Sequence, residues 1–394
     1  MSLATLNLNQ CIQCGRCSGG CPVSIKSRLN VRMLVYTRLD RAFKPAELGE
    51  LGVWECTTCT TCNERCPKQV NPASLVVELR SQLIESGRMA STVQAALEST
   101  YVQGNPWSRA RENRLAWASD LNLKRVSDGN PAEYLLFVCC TNAYDERCQR
   151  TARALAEILT AAGIDFGVIG EDESCCASEQ RRLGEEGLFD ELANSNAATL
   201  RDLPVRTVIT ISPHCYNAFR NDYPDFQHEV IHYTQFLARL LAEGKLELDA
   251  AAFAARHDSL VTYHDPCFLG RQNKVFDEPR AVLQAVTGDR FIEFDRCRET
   301  SLCCEGGGGR MWLESEGTGR LAEVRVRDAV EMGAGVIATA CPFCTLTLED
   351  AVKTTNSDDK VSICDIAELV RECLPNMPPP ADPAAASLRS AGTP

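Results

Sequence analysis

The 394-residue sequence lacks any run of about 18 apolar residues, so no segment is predicted to span a bilayer. Its first ten residues carry no charge, and they lack the basic start and apolar core of a secretory signal. Basic residues are not in excess: 41 Lys and Arg stand against 53 Asp and Glu, and a net charge of −12 argues against a nucleic-acid partner. We therefore expect a cytoplasmic protein that contacts the cytoplasmic membrane only peripherally, through a partner.

Cysteine is the abundant exception, with 22 residues. In a reducing compartment, such a number indicates metal binding or redox chemistry rather than disulfides. The charge is also uneven, because residues 1–90 carry 11 basic and 7 acidic residues, while the remainder carries 30 and 46. A mildly basic N-terminal region could steer an acidic partner, or it could be a solvated surface without such a role.

Two cysteine runs of identical spacing lie within the first 70 residues. Each reads C-x2-C-x2-C-x3-C-P, over residues 11–22 and again over residues 56–67. Three cysteines at two-residue gaps can surround one [4Fe–4S] cube, and the fourth, followed by proline, reaches the other cube. Structural zinc fits less well, because it uses paired C-x2-C units and four ligands. The predicted ligands are Cys11, Cys14, Cys17 and Cys66 for one cubane cluster and Cys56, Cys59, Cys62 and Cys21 for the other.

Composition and patterning divide the chain into five segments. Residues 1–100 form a helical two-[4Fe–4S] ferredoxin-type domain, and residues 101–132 are a polar linker. Residues 133–250 and 251–373 alternate short apolar runs with amphipathic ones, as α/β folds do. Residues 374–394 are rich in Pro, Ala and Ser and are predicted to be disordered.

The two α/β segments, called here the first half and the second half, repeat one layout. Strand-like YLLFV, IDFGVIG and VRTVITI in the first half correspond to LVTYHDP, FIEF and GVIATA in the second, and cysteines follow these strands. Ligands gather at the carboxyl ends of strands in open α/β sheets. The predicted fold class is thus a helical ferredoxin-type domain followed by a duplicated α/β cysteine-rich domain.

The second half places five cysteines after three strands. Adjacent cysteines cannot easily serve one cubane together, so the set indicates an unusual cluster with more than four thiolates. Gly306, Gly307 and Gly308 would let the backbone approach such a cofactor closely. A phosphate loop would need a following GK[ST], and thioredoxin-like or zinc chemistry remains an alternative for the C-x2-C pair. The five cysteines are Cys267, Cys303, Cys304, Cys341 and Cys344.

The first half repeats this pattern with one substitution: Ser212 stands where the second half has Cys341. A serine oxygen is a poor substitute for thiolate on iron, although Cys139, beside Cys140, could compensate. The first half could therefore hold an altered cluster, a simpler cluster or none. Its predicted metal ligands are Cys140, Cys175, Cys176 and Cys215.

The remaining histidines and cysteines divide into two groups. His264, Asp265 and His214 lie beside motif cysteines and could donate a proton or hydrogen-bond to a cluster sulfur, or they could be satisfied strand-end residues. No role is predicted for the others, which lack partners at metal-binding spacing or are predicted to be buried thiols. These are His232, His257, Cys148, Cys297, Cys364 and Cys373.

From residue 8 to about residue 373, the chain resembles the family of D-type heterodisulfide reductase subunits. CIQCGRCSGGCPV, WECTTCTTCNERCPK, HDPCFLGR, CCEGGGGRMW and ATACPFC carry the resemblance. It implies two cysteine-rich "CCG" domains, the second binding a noncubane [4Fe–4S] cluster through its five cysteines. The chain departs from the CCG pattern at Glu305, Ala177 and Ser212. Cleavage of the CoM–CoB disulfide in that family uses two such sites, so the departures in the first domain, Ala177 and Ser212, count against the activity here.

We therefore expect the iron–sulfur subunit of a multi-subunit oxidoreductase. It would relay electrons through two cubane clusters and a noncubane cluster between a flavoprotein or dehydrogenase and a quinone-linked or other redox partner. The resemblance implies as partners a flavoprotein, an electron-transferring flavoprotein or a membrane cytochrome b-like subunit. The alternative is catalysis, in which the five second-half cysteines would support reduction or formation of a disulfide substrate. A non-redox zinc scaffold is the third hypothesis.

Overall fold

The structure is a computed structural model that describes residues 6–40, 48–224, 226–313 and 319–375. All but the first two residues of the predicted disordered tail lie outside the described residues. The helices are α1 (Arg16–Gly19), α2 (Val31–Leu39), α3 (Thr61–Glu64), α4 (Pro72–Glu85), α5 (Ser91–Gln103), α6 (Cys140–Tyr144), α7 (Glu146–Ala161), α8 (Ser178–Leu183), α9 (Glu186–Arg201), α10 (Pro213–Asn217), α11 (Tyr233–Ala242), α12 (Ala250–Arg256), α13 (Gly270–Asn273), α14 (Asp277–Thr287), α15 (Leu321–Glu331), α16 (Pro342–Thr354) and α17 (Ile366–Glu372). The strands are β1 (Tyr134–Phe137), β2 (Phe166–Gly167), β3 (Thr207–Thr210), β4 (Glu229–His232), β5 (Leu260–Tyr263), β6 (Phe291–Ile292), β7 (Ala334–Thr339) and β8 (Ser362–Asp365).

The two cysteine runs of the N-terminal region fold into matching loops. Gln13 and Gly15 in the first run, and Thr58 and Thr60 in the second, all have positive φ angles between 51° and 79°. Each loop leads into a one-turn helix, α1 or α3, that carries the third cysteine of its run. The shared spacing therefore produces the same backbone path twice, which turns the thiols of each loop toward a common centre.

The two halves each contain a four-stranded, fully parallel sheet. The strand order is β2-β1-β3-β4 in the first half and β6-β5-β7-β8 in the second, and helices connect the strands. The central strands β1, β3, β5 and β7 are almost entirely buried, as their apolar sequences require. The predicted fold class, a helical ferredoxin-type region followed by a duplicated α/β unit, is confirmed.

Strands β4 and β8 are additions that the sequence did not predict. Both are four-residue strands at a sheet edge, and each begins with an exposed residue, Glu229 or Ser362. Short edge strands carry little apolar periodicity, which explains why sequence patterning missed them. Each pairs with the strand that precedes the C-x2-C or S-x2-C segment, and so extends the sheet beside the predicted site.

The stretch predicted as a linker, residues 101–132, packs on the first half. Trp117 is buried, and a short 3-10 helix covers Arg111–Ala118. The backbone of Val168 exchanges hydrogen bonds with Lys124 and Val126, at 2.9 and 3.0 Å. The stretch thus fixes one edge of the first sheet.

The two halves share one apolar core, in which helices α7 and α11 of the first half pack against α17 and α14 of the second. The Tyr233 hydroxyl donates to Asp365 Oδ1 at 2.7 Å, and burial raises the pKa of this carboxyl to about 7.

Among the described residues, no helix combines the length and apolar character that crossing a bilayer requires.

Candidate iron–sulfur sites

The first four predicted thiols lie together at the protein surface. One small apolar cavity is lined by all four, together with Ile12, Val35 and Pro67. Cys14 is exposed, and the neighbouring Ile12 is 59% exposed. We call these four the surface set: Cys11, Cys14, Cys17 and Cys66.

The other four predicted ferredoxin-type thiols are buried beneath the surface set. Burial, together with the nearby thiols of Cys56, Cys59 and Cys21, raises the pKa of Cys62 well above its ordinary value. The backbone amide of Thr58 donates to the Cys56 sulfur at 3.4 Å. We call these four the inner set: Cys56, Cys59, Cys62 and Cys21.

The structure also brings together the five second-half cysteines, all of them buried. Sγ of Cys304 lies 3.2 Å from Sγ of Cys344. Further hydrogen-bonding contacts join Cys267 to Cys303, Cys303 to Cys304, and Cys344 to Cys341. The segments that follow β5, β6 and β7 supply them, Cys344 from the first turn of α16, at the carboxyl edge of the sheet where the sequence predicts a site. We call these five the second-half set.

Non-glycine residues follow both cysteine pairs, and both adopt left-handed backbone conformations. Glu305 has φ +70° and Ala177 has φ +56°, the conformation that glycine adopts most easily. The amides of Glu305 and Gly306 donate to the sulfurs of Cys303 and Cys304, both at 3.4 Å. Glu305 is further held by Lys26, whose ammonium lies 2.8 Å from its carboxylate. Both positions thus have the positive φ that the glycine of a CCG pattern would adopt readily.

The inner set and the second-half set are in direct contact. The thiol of Cys59 lies within hydrogen-bonding reach of the thiol of Cys303, and the hydroxyl of Thr57 lies 3.5 Å from the same sulfur. Arg271 joins the two loops, since it donates to the carbonyls of Cys59 at 2.8 Å and Ser301 at 2.6 Å. A predicted cubane ligand thus touches a predicted ligand of the second-half cluster.

The glycine run after Cys304 approaches the ferredoxin-type loop. A Cβ on Gly308 would lie 2.7 Å from the carbonyl oxygen of Cys56, and one on Gly307 would lie 3.3 Å from that of Thr57. A Cβ on Gly306 would meet Phe343 at 3.0 Å. The run therefore permits close packing of two protein loops, and its role beside a cofactor stays a prediction.

Arg80 binds both the glycine run after Cys304 and the ferredoxin-type loop that begins at Cys56. Its side chain is fully buried. Cation–π contact with Trp54 places the guanidinium centre 5.3 Å from that ring. Its nitrogens donate to five carbonyl oxygens, those of Val53, Trp54, Cys56, Arg182 and Gly308.

His214, from the first half, reaches the second-half set. Its ring stacks on Phe268 with centroids 4.0 Å apart, and its Nδ1 lies 2.8 Å from Glu179 Oε1. Burial disfavours the charged imidazole, but the Glu179 carboxylate and hydrogen bonding to Cys341 outweigh burial and raise the pKa of His214 to about 10. His214 thus presents a hydrogen-bond donor to a predicted cluster sulfur.

His264 and Asp265 have different surroundings. Asp265 accepts a two-point hydrogen bond from Arg280, at 2.8 and 2.9 Å, and the amide of Arg298 at 2.8 Å, which makes it a structural clamp. One ring nitrogen of His264 and the sulfurs of Cys304 and Cys344 all lie within 4.8 Å of one another. Burial lowers the pKa of His264 to about 3, so the imidazole is neutral.

The first half gathers the four predicted cysteines and adds a fifth. Sγ of Cys140 lies 3.8 Å from Sγ of Cys175, and Cys176 and Cys215 are in hydrogen-bonding contact. Cys139, outside the predicted ligands, contacts both Cys140 and Cys215. In the sequence, only the adjacency of Cys139 to Cys140 indicated that Cys139 could join the other four cysteines. We call the five the first-half set: Cys139, Cys140, Cys175, Cys176 and Cys215.

The residues without a predicted role lie outside these four sets. The Cys148 thiol donates to the carbonyl of Pro342 at 3.7 Å. His232 Nε2 lies 3.1 Å from the carbonyl oxygen of Ile211, and His257 pairs with Glu372 at 2.6 Å. Cys297, Cys364 and Cys373 belong to none of the sets of thiols in contact.

The residues present fit bound iron–sulfur clusters. Within the described part of the chain, His264 Nδ1, Arg271 Nη2 and the Thr58 hydroxyl are buried without a hydrogen-bond partner. Burial lowers the pKa of Arg271, but the nearby thiols of Cys59, Cys267 and Cys303 raise it by more. The pKa of Arg271 is therefore above its ordinary value. Buried orphan donors are rare in proteins, and acceptor sulfides beside thiolate ligands would satisfy them.

Comparison with known proteins supports this chemistry. Residues 7–70 match the 4Fe-4S dicluster domain, and residues 134–220 and 261–349 each match the cysteine-rich domain. The chain is 33% identical to a probable iron-sulfur-binding oxidoreductase, FadF, of Bacillus subtilis and 32% identical to EtfAB:quinone oxidoreductase of Syntrophomonas wolfei. Each match covers 94% of this chain, and the chain spans 60% and 58% of those relatives' lengths. The D-type subunit of dihydromethanophenazine:CoB–CoM heterodisulfide reductase from Methanosarcina barkeri is 32% identical over 94% of both chains.

The fold, the four thiol sets and the domain matches define an iron–sulfur protein with one ferredoxin-type region and two cysteine-rich domains. Within that class, the chain belongs to the family of D-type heterodisulfide reductase subunits. The resemblance seen in the sequence motifs is confirmed.

Proposed function

We propose that this chain is the relay subunit of a multi-subunit oxidoreductase. The contact between Cys59 and Cys303 carries the proposal, because it joins the ferredoxin-type region to the second-half set. The surface and inner sets would each hold a cubane [4Fe–4S] cluster, and the second-half set a noncubane one. Bound clusters of this kind accept and release one electron at a time.

The thiol sets form a path from the surface inward. The surface set reaches solvent at Cys14, and the inner set lies behind it in the same apolar core. That core continues into the second half through Cys267, Phe268 and Cys303. Electrons entering beside Cys14 would therefore have a dry, continuous route to the second-half set. Water exclusion along this route keeps reorganisation small, as relay requires.

The surface around Cys14 suits an acidic redox partner. Residues 6–40 contain five basic residues against a single acidic one, Asp40. Arg16 and Arg32 line the surface-set cavity together with Lys68 from the second run. We propose a flavoprotein or dehydrogenase on one side of the relay and a quinone-linked partner on the other. The relatives named as an iron-sulfur-binding oxidoreductase and an EtfAB:quinone oxidoreductase support that pair.

Catalysis on a disulfide is the second candidate, favoured by the complete second-half set. Each of its five cysteines is at most 8% exposed, so a substrate sulfur could not reach them without displacing packed residues. Phe268 and Phe343 both pack against the ring of His214, which contacts Cys341. Burial of all five thiols favours relay over direct chemistry on a substrate.

One experiment on anaerobically purified protein tests this choice. Iron analysis should give about eight irons for the two cubanes and about four for the second-half set, before any contribution from the first half. EPR of the oxidised protein should then show no new signal when a small monothiol is added, because the buried set is closed to it. A thiol-induced signal would favour disulfide chemistry. Zinc in place of iron would contradict both candidates.

A further inference from the structure

The two halves differ in where they place their fifth thiol. In the second half, Cys341 begins the C-x2-C segment at the N-terminus of α16. In the first half, Ser212 occupies that place, and its hydroxyl accepts the backbone amide of His214 at 3.2 Å as the cap of α10. The first half therefore lacks a thiol at this corner and supplies one elsewhere.

Cys139 supplies that thiol from a strained backbone. Its φ of +74° and ψ of 144° lie in a strained region that residues other than glycine rarely occupy. The corresponding residue before Cys267 is Pro266, whose ring keeps φ negative and which carries no thiol. The strain is thus specific to the half that lacks the other cysteine.

A buried ion pair holds the strained residue in place. The two carboxylate oxygens of Glu173 accept the amides of Cys139 at 3.1 Å and Val138 at 3.2 Å. Arg114 pairs with the same carboxylate, and both side chains are 2% exposed. Separating Arg114 from Glu173 would leave an uncompensated buried charge, which is energetically costly. The pair therefore keeps Glu173 in position to bind the amides of Val138 and Cys139. It also sets a positive guanidinium near Cys139 and Cys140, where thiolates would carry negative charge.

The five first-half thiols close into a ring of contacts. In the second-half set, the contacts run from Cys267 through Cys303, Cys304 and Cys344 to Cys341, which lies beside His214. Cys139 closes the first-half ring, because it touches both Cys140 and Cys215. All five thiols are buried. The successive contacts are Cys139–Cys140, Cys140–Cys175, Cys175–Cys176, Cys176–Cys215 and Cys215–Cys139.

We infer that Cys139 is the fifth thiolate of an iron–sulfur site in the first half, in place of the cysteine that Ser212 removes. The site would hold a cluster bound by all five thiols of the ring. This inference extends the proposed relay by one further redox site, and it rests on the proposed iron–sulfur chemistry but not on the partners or the direction of electron flow.

The substitution Cys139→Gly tests the inference without straining the fold. Glycine accepts the positive φ, so the substitution adds no backbone strain, and the circular dichroism spectrum should show wild-type secondary structure. Anaerobically purified Cys139→Gly should lose about four irons per chain, or should change the first-site signals in the EPR and Mössbauer spectra. Ser212→Ala is the matched control, and it should retain full iron because the hydroxyl only caps a helix.

A rescue variant makes the test specific. Cys139→Gly combined with Ser212→Cys places the fifth thiol where the second half has it, and should recover the lost iron. Wild-type iron and unchanged spectra in Cys139→Gly would overturn the inference, as would equal iron loss in Ser212→Ala. Cys341→Ala removes iron from the second-half set only, so failure of the proposed function and failure of this inference give different iron and spectral results.

Discussion

Gly308→Ala should lower the free energy of unfolding by about 2–5 kcal/mol and separate the two loops that join the ferredoxin-type region to the second half. Two effects add. The residue has φ +68°, and its new Cβ would lie 2.7 Å from the carbonyl oxygen of Cys56 and 2.8 Å from the carbonyl carbon of Thr57. These are backbone atoms that cannot rotate away. Thermal unfolding of the anaerobic protein measures the loss.

Gly163→Ala provides the matched control. Gly163 has nearly the same φ, +66°, but nothing lies within 4 Å of its Cβ position. The control isolates the backbone strain, about 1–2 kcal/mol, from the clash. Equal shifts in the unfolding temperature for both alanines would contradict the close approach of the two loops.

Arg80→Met should cost about 3–5 kcal/mol of stability, because it removes the buried guanidinium that joins three parts of the chain. Methionine keeps much of the apolar stem but leaves five carbonyl oxygens without their donor. Arg80→Lys should lower the stability almost as much. One ammonium has three N–H donors and cannot reproduce the planar set of five donors on a guanidinium. Chemical denaturation followed by circular dichroism measures the change.

Arg153→Met is the comparison for that substitution. Arg153 also makes a two-point contact, with Asp120 at 2.7 Å, but both side chains are substantially exposed. A surface pair of this kind contributes at most about 1 kcal/mol. If Arg80→Met were as mild as Arg153→Met, Arg80 would not be the residue that holds the loops together.

Local spacing predicted the parts of the sites that depend on nearby residues. The C-x2-C-x2-C-x3-C-P pattern implies a tight loop, and the structure shows it twice, with matching left-handed residues at Gly15 and Thr60. Strand-like runs followed by cysteines predicted the sheet edges at which the second-half set forms. In each case the determining residues are close in sequence, so patterning alone was sufficient.

Contacts between distant segments were not predictable in this way. Cys59 and Cys303 lie together where Gly308 lets one loop approach another and where Arg80 and Arg271 bind the buried carbonyls of both loops. The sequence indicated that Cys139 could compensate for Ser212, but it did not predict the buried pair of Arg114 and Glu173 that holds Cys139, because no motif records that pair. Tertiary packing, rather than local propensity, fixes these features.

Transfer of an electron from the ferredoxin-type region to the second-half set is the central claim, and flash reduction tests it most directly. A pulse of photoreduced deazaflavin should first bleach the cubane absorbance of the wild-type protein, and a second phase should follow as the electron redistributes to the second-half set. Cys341→Ala should show the first phase but lose the part of the second phase that reports reduction of the second-half set, while Cys297→Ala, which alters a thiol outside the four sets, should show both phases in full. A second phase that persists unchanged in Cys341→Ala, or that is absent from wild-type protein with its full iron content, would contradict the relay.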